Sequence, residues 1–432
     1  MTLTFDVRRQ DPELVGPARP TPRETKRLSD IDDQEGLRKH IPFVLFYRGG
    51  AGADAAADPA RVVRHALGEA LVPYYPLAGR LREVEGRKLV VDCTGEGVLF
   101  VEADAGVRLA ELEAAGLTPP FPCMDQLLFD VDGSGGVLNC PLLLIQVTRL
   151  RCGGFVFALR LNHTMCDAAG IVQFMSTVGE LARGLPAPTV APVWSRELLN
   201  ARSPPQPSFP HHEYDPVPPT PFPPPGDMVT RTFTFRPADV AAIKKGGGKA
   251  TMTFEALAAL IWRARTAALE IPAGEDARLA FPADVRRARG LGLPAGYYGN
   301  ACVYPAAVAI AQADASSLIF AIRVKEEDSR RLKILAFLSF QISQAISNAR
   351  LLSALVVVII AHHSSVPWTC GQDTGSNSGF AIHDATALQI FLANLHSARR
   401  CSVVSAQLLQ SGQTGVCGHP RVARRSAVHT RF

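Results

Sequence analysis

Apolar residues alternate along some stretches of the chain and recur at helical spacing along others. Residues 41–47, 88–92, 98–102, 141–150 and 155–161 carry the strand pattern. The last two are separated only by RCGG, which predicts a hairpin. Helical spacing marks residues 60–71, a short piece at 107–115, and 168–183. In the last of these Ile171, Val172, Phe174, Met175, Val178 and Leu181 form the apolar side, and Gly184 supplies the stop. Residues 201–227 (ARSPPQPSFPHHEYDPVPPTPFPPPGD) are too rich in proline for a helix or a central strand and predict an extended crossover between two lobes. Beyond it the pattern predicts a strand at 229–235, a helix near 237–245, an amphipathic helix over 253–269 and a strand over 279–287.

The character changes after residue 309. Residues 315–333 are polar and helix-like, residues 335–361 are nearly all apolar or Ser/Gln apart from Arg350, and no clear period follows His362. The expected organisation is therefore a first lobe at 1–200, a linker at 201–227, the start of a second lobe at 228–309, and a tail at 310–432.

Composition narrows the partners. The 432 residues are 47% hydrophobic and 20% charged, a globular composition long enough for two domains. A formal net charge of +5 suits an anionic small ligand such as a nucleotide or coenzyme. No basic run interleaved with aromatics accompanies it, so nucleic acid is not an expected partner. The beginning of the chain has an early acid and no apolar segment of the secretory type. The nine cysteines include no C-x-x-C pair and read as reduced thiols in the cytosol. The purest apolar run, 351–361 apart from Ser353, falls well short of the roughly 20 residues a membrane span needs.

The chemistry concentrates at LRLNHTMCDAAG, residues 159–170, where an alternating run ends at Asn162 and His163 and a small-residue stretch begins a helix. His163 would sit at the tip of a buried strand, held by the sheet and open to a cleft. A neutral imidazole with a pKa near ~6.5 is the side chain best suited to accept a proton at cytosolic pH. His163 is thus a candidate general base. Asp167, four residues on, could orient the ring as a dyad or turn away to pair with an arginine and brace the loop. Ala168, Ala169 and Gly170 would let another chain or a ligand approach closely.

HTMCD followed by AAG resembles the H-x-x-x-D motif of the BAHD plant acyl-CoA-dependent acyltransferases. Other segments agree in order: LSDIDDQEGLR (28–38), YYPLAGRL (74–81), TFEALAALIWRAR (253–265), FPADVRR (281–287) and GYYGN (296–300). The N-terminal third is most similar to the benzyl alcohol O-benzoyltransferase branch. The resemblance implies an α/β (α+β) fold of two chloramphenicol-acetyltransferase-like lobes, each a mixed sheet flanked by helices, with a channel between them. It implies a cytoplasmic monomer of plant secondary metabolism that transfers an acyl group, benzoyl among the candidates, from acyl-CoA as co-substrate to a small alcohol. No permanently bound cofactor and no metal are implied. His163 would be the base, Asp167 structural, and Arg286 its partner from the second lobe; Lys249, Thr251 and Thr253 would lie along the path of CoA. The family's D-F-G-W-G motif is absent, and Trp368 lies in a segment (VPWTCGQDTGSNSG) that does not match. An altered reading frame, retained intron or mis-joined exon would account for such a tail, and a catalytically inactive family member is the competing reading of function.

Other motifs fall away. KKGGGKAT at 244–251 lacks the phosphate-loop spacing. DTGS at 373–376 occurs once and follows a polar stretch, unlike an aspartic protease site. His362, His363, His383 and Asp384 have no ligand spacing for a metal. A hydrolase would share the base but lacks a G-x-S-x-G nucleophile. Trp262, Tyr74, Tyr75 and Gly79 read as structural.

Overall fold

Strands β1 (Val7–Arg9), β2 (Glu13–Val15) and β3 (Thr25–Arg27) precede β4 (His40–Tyr47), helix α1 (Pro59–Ala70), β5 (Arg80–Val84), β6 (Lys88–Asp92) and β7 (Val98–Ala105). Two short helices, α2 (Leu109–Ala115) and α3 (Met124–Leu127), lead to the hairpin β8 (Leu143–Leu150) and β9 (Phe155–Asn162), and α4 (Ala168–Ala182) closes the first lobe. The second lobe holds β10 (Met228–Phe235), α5 (Pro237–Lys245), α6 (Thr253–Ala268), β11 (Asp276–Ala280), β12 (Ala283–Asp284), β13 (Cys302–Val303), β14 (Ala306–Ile310), α7 (Ala315–Arg331) and β15 (Leu355–His362). This computed structural model describes residues 3–49, 57–117, 123–130, 136–204, 228–235, 237–245, 251–288, 291–331 and 355–362. The crossover at 205–227, Lys249, Trp368, DTGS, His363, His383 and Asp384 lie outside the described residues.

The main sheet of the first lobe runs β1-β7-β8-β9-β4, with β2 also on β7. It is mixed, because β7 and β8 are parallel while β8–β9 and β9–β4 are antiparallel. Alternation assigns its faces. Phe157, Leu159 and Leu161 pack into the cluster that α1 and α4 cover through Ala66, Leu67, Ile171, Phe174 and Val178. Val156 and Ala158 point the other way, into the cluster under α2 and α3 with Leu109, Leu112 and Leu127. With helices on both faces, the central strands β8 and β9 are almost entirely buried. β3, β6 and β5 form a separate three-stranded sheet.

In the second lobe α6 and α7 pack over the β11–β14 pair, with Phe254, Ala258, Trp262, Leu279, Ala307, Leu318 and Ile322 at the contact. Arg323 on α7 adds a two-pronged ion pair to the buried Glu255 on α6, at 3.2 and 2.8 Å. Thus the polar stretch after residue 309 builds onto this lobe at least through α7. One expected strand divides: 279–287 is interrupted at Pro282, leaving β11 and a two-residue β12. Proline has no N–H to continue a ladder, and Arg286 consequently projects from a turn, not from a strand. Among the described residues no helix is long and apolar enough to cross a membrane, and no His/Cys/Asp/Glu group is arranged to hold a metal.

Candidate active site

His163 follows the last residue of β9, where the chain leaves the sheet. Its backbone is held on both sides: the N–H donates to the Lys39 carbonyl at 2.9 Å, and its own carbonyl accepts from Asn300 Nδ2 at 2.8 Å. The residue is 7% exposed. Burial pushes the imidazole pKa below its ordinary value, because the charged ring is desolvated. Nearby carbonyls of His163 and Cys166 and the charge of Asp167 pull the other way, while Lys39 adds to the lowering. The net direction favours the neutral ring. Its Nδ1 is buried and makes no hydrogen bond of ordinary geometry.

Asp167 does not orient that ring. It is the N-cap of α4, its Oδ1 accepting from the Gly170 N–H at 3.1 Å. Arg286 grips both carboxylate oxygens, at 2.9 and 2.7 Å, and the Ala301 N–H donates to Oδ2 at 3.0 Å. Burial would raise the Asp167 pKa; the Arg286 charge and these donors outweigh it and hold the carboxyl below the usual range. The Arg286 guanidinium also contacts Asp284 at 3.3 Å and the Gly299 carbonyl. A fork of this kind satisfies a carboxylate geometrically as well as electrically.

A second network lies behind the first, and motif reading left its members without roles. Asp32 is fully buried and accepts from Asn300 through both its N–H and Nδ2, each at 2.9 Å. The same carboxylate receives Arg196 at 2.7 Å and the Ser29 hydroxyl at 2.6 Å. Arg196, also buried, donates to the Met165 carbonyl at 2.7 Å and lies between the rings of Trp194 and Tyr298, 4.4 and 5.1 Å from their centroids. Asn300 thereby ties the His163 backbone to a buried ion pair. LSDIDDQEGLR and GYYGN contain Asp32 and Asn300, but Asp32 stands among other acidic and polar residues and neither segment says what its polar side chain meets.

GYYGN crosses from the second lobe into the first. The Gly296 carbonyl accepts from Val193 N–H and Gln173 Nε2, both at 2.9 Å, and Tyr298 enters the first lobe's core against Tyr74. What approaches the small residues of α4 is this segment: a Cβ on Gly170 would stand 2.0 Å from the Tyr298 carbonyl oxygen. On Gly299 it would meet Arg196 Nη1 at 1.8 Å. Gly170→Ala should therefore destabilise the chain by about 1–3 kcal/mol; an unchanged denaturant midpoint would show that the lobes do not meet so closely.

Of the residues expected along the CoA path, Thr251 and Thr253 are buried, at 3% and 7% exposure, and Thr253 opens α6. Thr251 Oγ1 makes no hydrogen bond. Asp167 and Arg286 come together four residues from His163, whereas no hydrogen bond among the described residues joins Thr251 to any of them.

A model described as the Transferase family matches residues 5–351, past the last of the recognised motifs. The benzyl alcohol O-benzoyltransferase of Petunia hybrida is 56% identical over 315 residues, covering 72% of this chain and 68% of that protein. Among solved structures, vinorine synthase aligns with a TM-score of 0.58 at 24% identity, covering 74% of this chain and 76% of that one. TRI101 of F. sporotrichioides, solved with coenzyme A and T-2, aligns at 0.53 and 15% identity, covering 72% and 75%. These two likenesses carry the fold.

Proposed function

The chain belongs to the BAHD acyltransferase family, and from that premise we propose that it esterifies a small alcohol at the expense of acyl-CoA with His163 as general base. The observation that carries the role of His163 is the division of labour at the strand tip. Asp167 is consumed by Arg286, Ala301 and Gly170, so the imidazole is held through its backbone and its ring remains available. In the reaction the alcohol oxygen attacks the thioester carbonyl as its proton passes to His163. The tetrahedral oxyanion then collapses, the C–S bond breaks, and the imidazolium returns the proton to the departing thiolate. Neutral His163 at the start and burial of the site both favour this sequence.

Benzoyl-CoA and benzyl alcohol are the substrates to try first, given the similarity to the Petunia hybrida enzyme. The coenzyme bound in TRI101 supports CoA as co-substrate. Thr251 and Thr253, with Lys249, are the proposed contacts of its phosphate and pantetheine arm, the buried Thr251 hydroxyl being free to take a partner. A cytoplasmic monomer fits this reading. The second reading, a catalytically inactive family member whose tail from residue 310 derives from an altered frame or mis-joined exon, rests on the absence of D-F-G-W-G from all 432 residues.

One experiment separates the readings. Purified full-length chain is incubated with benzoyl-CoA, with and without benzyl alcohol, while ester and free thiol are quantified. Ester formation that requires the alcohol is the expected result. Equal thiol release without alcohol would make the protein a hydrolase, and neither product, together with no thermal stabilisation by CoA, would leave the inactive reading standing.

A further inference from the structure

Arginine reaches its partners through a long, flexible side chain, so a guanidinium that grips both oxygens of one carboxylate has to be aimed. The second lobe aims Arg286 from within its own turn. Asp284 ends β12, and its Oδ1 accepts from the Arg286 N–H at 2.8 Å, a turn closure that aspartate favours. The same oxygen accepts from Arg286 Nη1 at 3.3 Å, while the Tyr297 and Gly299 carbonyls take Nε and Nη2 at 3.4 and 2.5 Å. Asp284 thus holds both the backbone of Arg286 and one arm of its fork. Nη1 lies between two carboxylates, since it also donates to Asp167 Oδ2 at 2.9 Å.

The pairing of Asp167 with Arg286 does not by itself call for this second acid. Asp284 is buried at 6% exposure, so one guanidinium faces two carboxylates in a site withdrawn from water. Pairing of β12 with β13 sets Cys302 opposite Asp284, and the Cys302 thiol, kept uncharged by burial, lies 3.6 Å from Asp167 Oδ2. Burial pushes the Asp284 carboxyl above the usual range; Arg286 pulls it back and Asp167 adds to the rise. What the turn uses is an oxygen acceptor and not a second negative charge. An amide oxygen could fill that part.

We propose that Asp284 is a positioning residue for the reaction, holding the Arg286 fork in register so that the second lobe fixes the backbone of His163. This rests on His163 being the base. The path is contiguous. Arg286 and the Ala301 N–H meet on the same oxygen of Asp167, and Asn300, one residue before Ala301, donates to the His163 carbonyl at 2.8 Å. A turn without its oxygen lets the fork tilt, and the tilt passes through residues 300–301 to the strand tip. There a misplacement of about 1 Å can cost on the order of 100-fold in rate.

The test is kcat and KM for ester formation by full-length variants, assayed well below each melting midpoint. Asp284→Ala should lower kcat by about tenfold or more with KM for both substrates within about twofold of wild type. Asp284→Asn, which keeps the oxygen and removes the charge, should retain kcat within about threefold. Asp284→Glu, which keeps the acid but moves its oxygens out of the turn, reads the same loss should the alanine variant not fold. Wild-type kcat in Asp284→Ala or Asp284→Glu overturns the proposal, as does a loss in Asp284→Asn as large as in Asp284→Ala. Absence of ester formation by the wild-type chain would instead be a failure of the acyltransferase reading. Denaturant midpoints then decide the role of Asp284: its replacement by alanine should cost much less in an Arg286→Ala background, and additive costs would overturn it.

Discussion

His163→Ala is expected to lower kcat for ester formation by about 10²–10⁴ or more, with a protein that melts within a few degrees of wild type and still binds CoA. The rate loss follows from the chemistry, since without a base the alcohol must attack carrying its own proton. The preserved fold follows from the anchors. The two hydrogen bonds that hold this position, to the Lys39 carbonyl and from Asn300, are made by backbone atoms that alanine retains. The wild-type profile should fall off below the ordinary histidine range of about 6.5, because desolvation lowers this pKa. Below the limb the ring is protonated and cannot accept; above it the rate is flat. His163→Gln would separate shape from basicity, and its failure to restore turnover is expected. Turnover of either variant within tenfold of wild type would end the assignment, and a limb above pH 7 would contradict the environment described for the ring.

Much of this arrangement was legible from pattern where the pattern is dictated by burial. The β8–β9 hairpin and α4 were predicted to within two residues at each end, since a strand between two helix layers and an amphipathic helix each repeat strongly enough to read. β1, β2 and β3 were not, because each has three residues, mostly exposed, and exists through backbone pairing that side chains do not announce. Pro282 could have warned that the 279–287 strand would break. At the site, the H-x-x-x-D spacing brought out His163 and Asp167, and the resemblance supplied Arg286. Which of dyad or brace Asp167 adopts was left open by spacing, for it is decided by donors 119 and 134 residues away in sequence. Asp32, Arg196 and Asn300 are harder still. Their partners lie 164 and 268 residues apart, and only the docking of GYYGN onto the first lobe turns three unremarkable polar residues into one network.

Arg286→Ala carries the second large effect, on stability first and on activity through it. Asp167 is buried at the mouth of α4, and its charge is tolerated because Arg286 offsets the cost of leaving water. Removing one partner of a buried pair and leaving the other costs about 3–5 kcal/mol, which for a lobe of this size lowers Tm on the order of 10 °C. The pH dependence has a defined sign. In the wild type the folded-state pKa of Asp167 is below its unfolded value, so the pair's contribution is fully present above the unfolded pKa and is lost as pH falls through the folded one. In Arg286→Ala burial prevails and the carboxyl pKa rises, so the deficit relative to wild type is largest near neutrality and shrinks in acid, where Asp167 takes up a proton. Asp167→Asn supplies the control. It removes the charge while keeping an oxygen for one of the Gly170 and Ala301 N–H groups, which bond different oxygens of the carboxylate. In that background Arg286→Ala should cost less than half of what it costs alone, since no carboxylate is left unpaired. Additive costs in the two backgrounds, or a deficit that grows in acid, would mean that Arg286 acts through Asp284 or Gly299 and that the lobes are held at the base by something other than this pair.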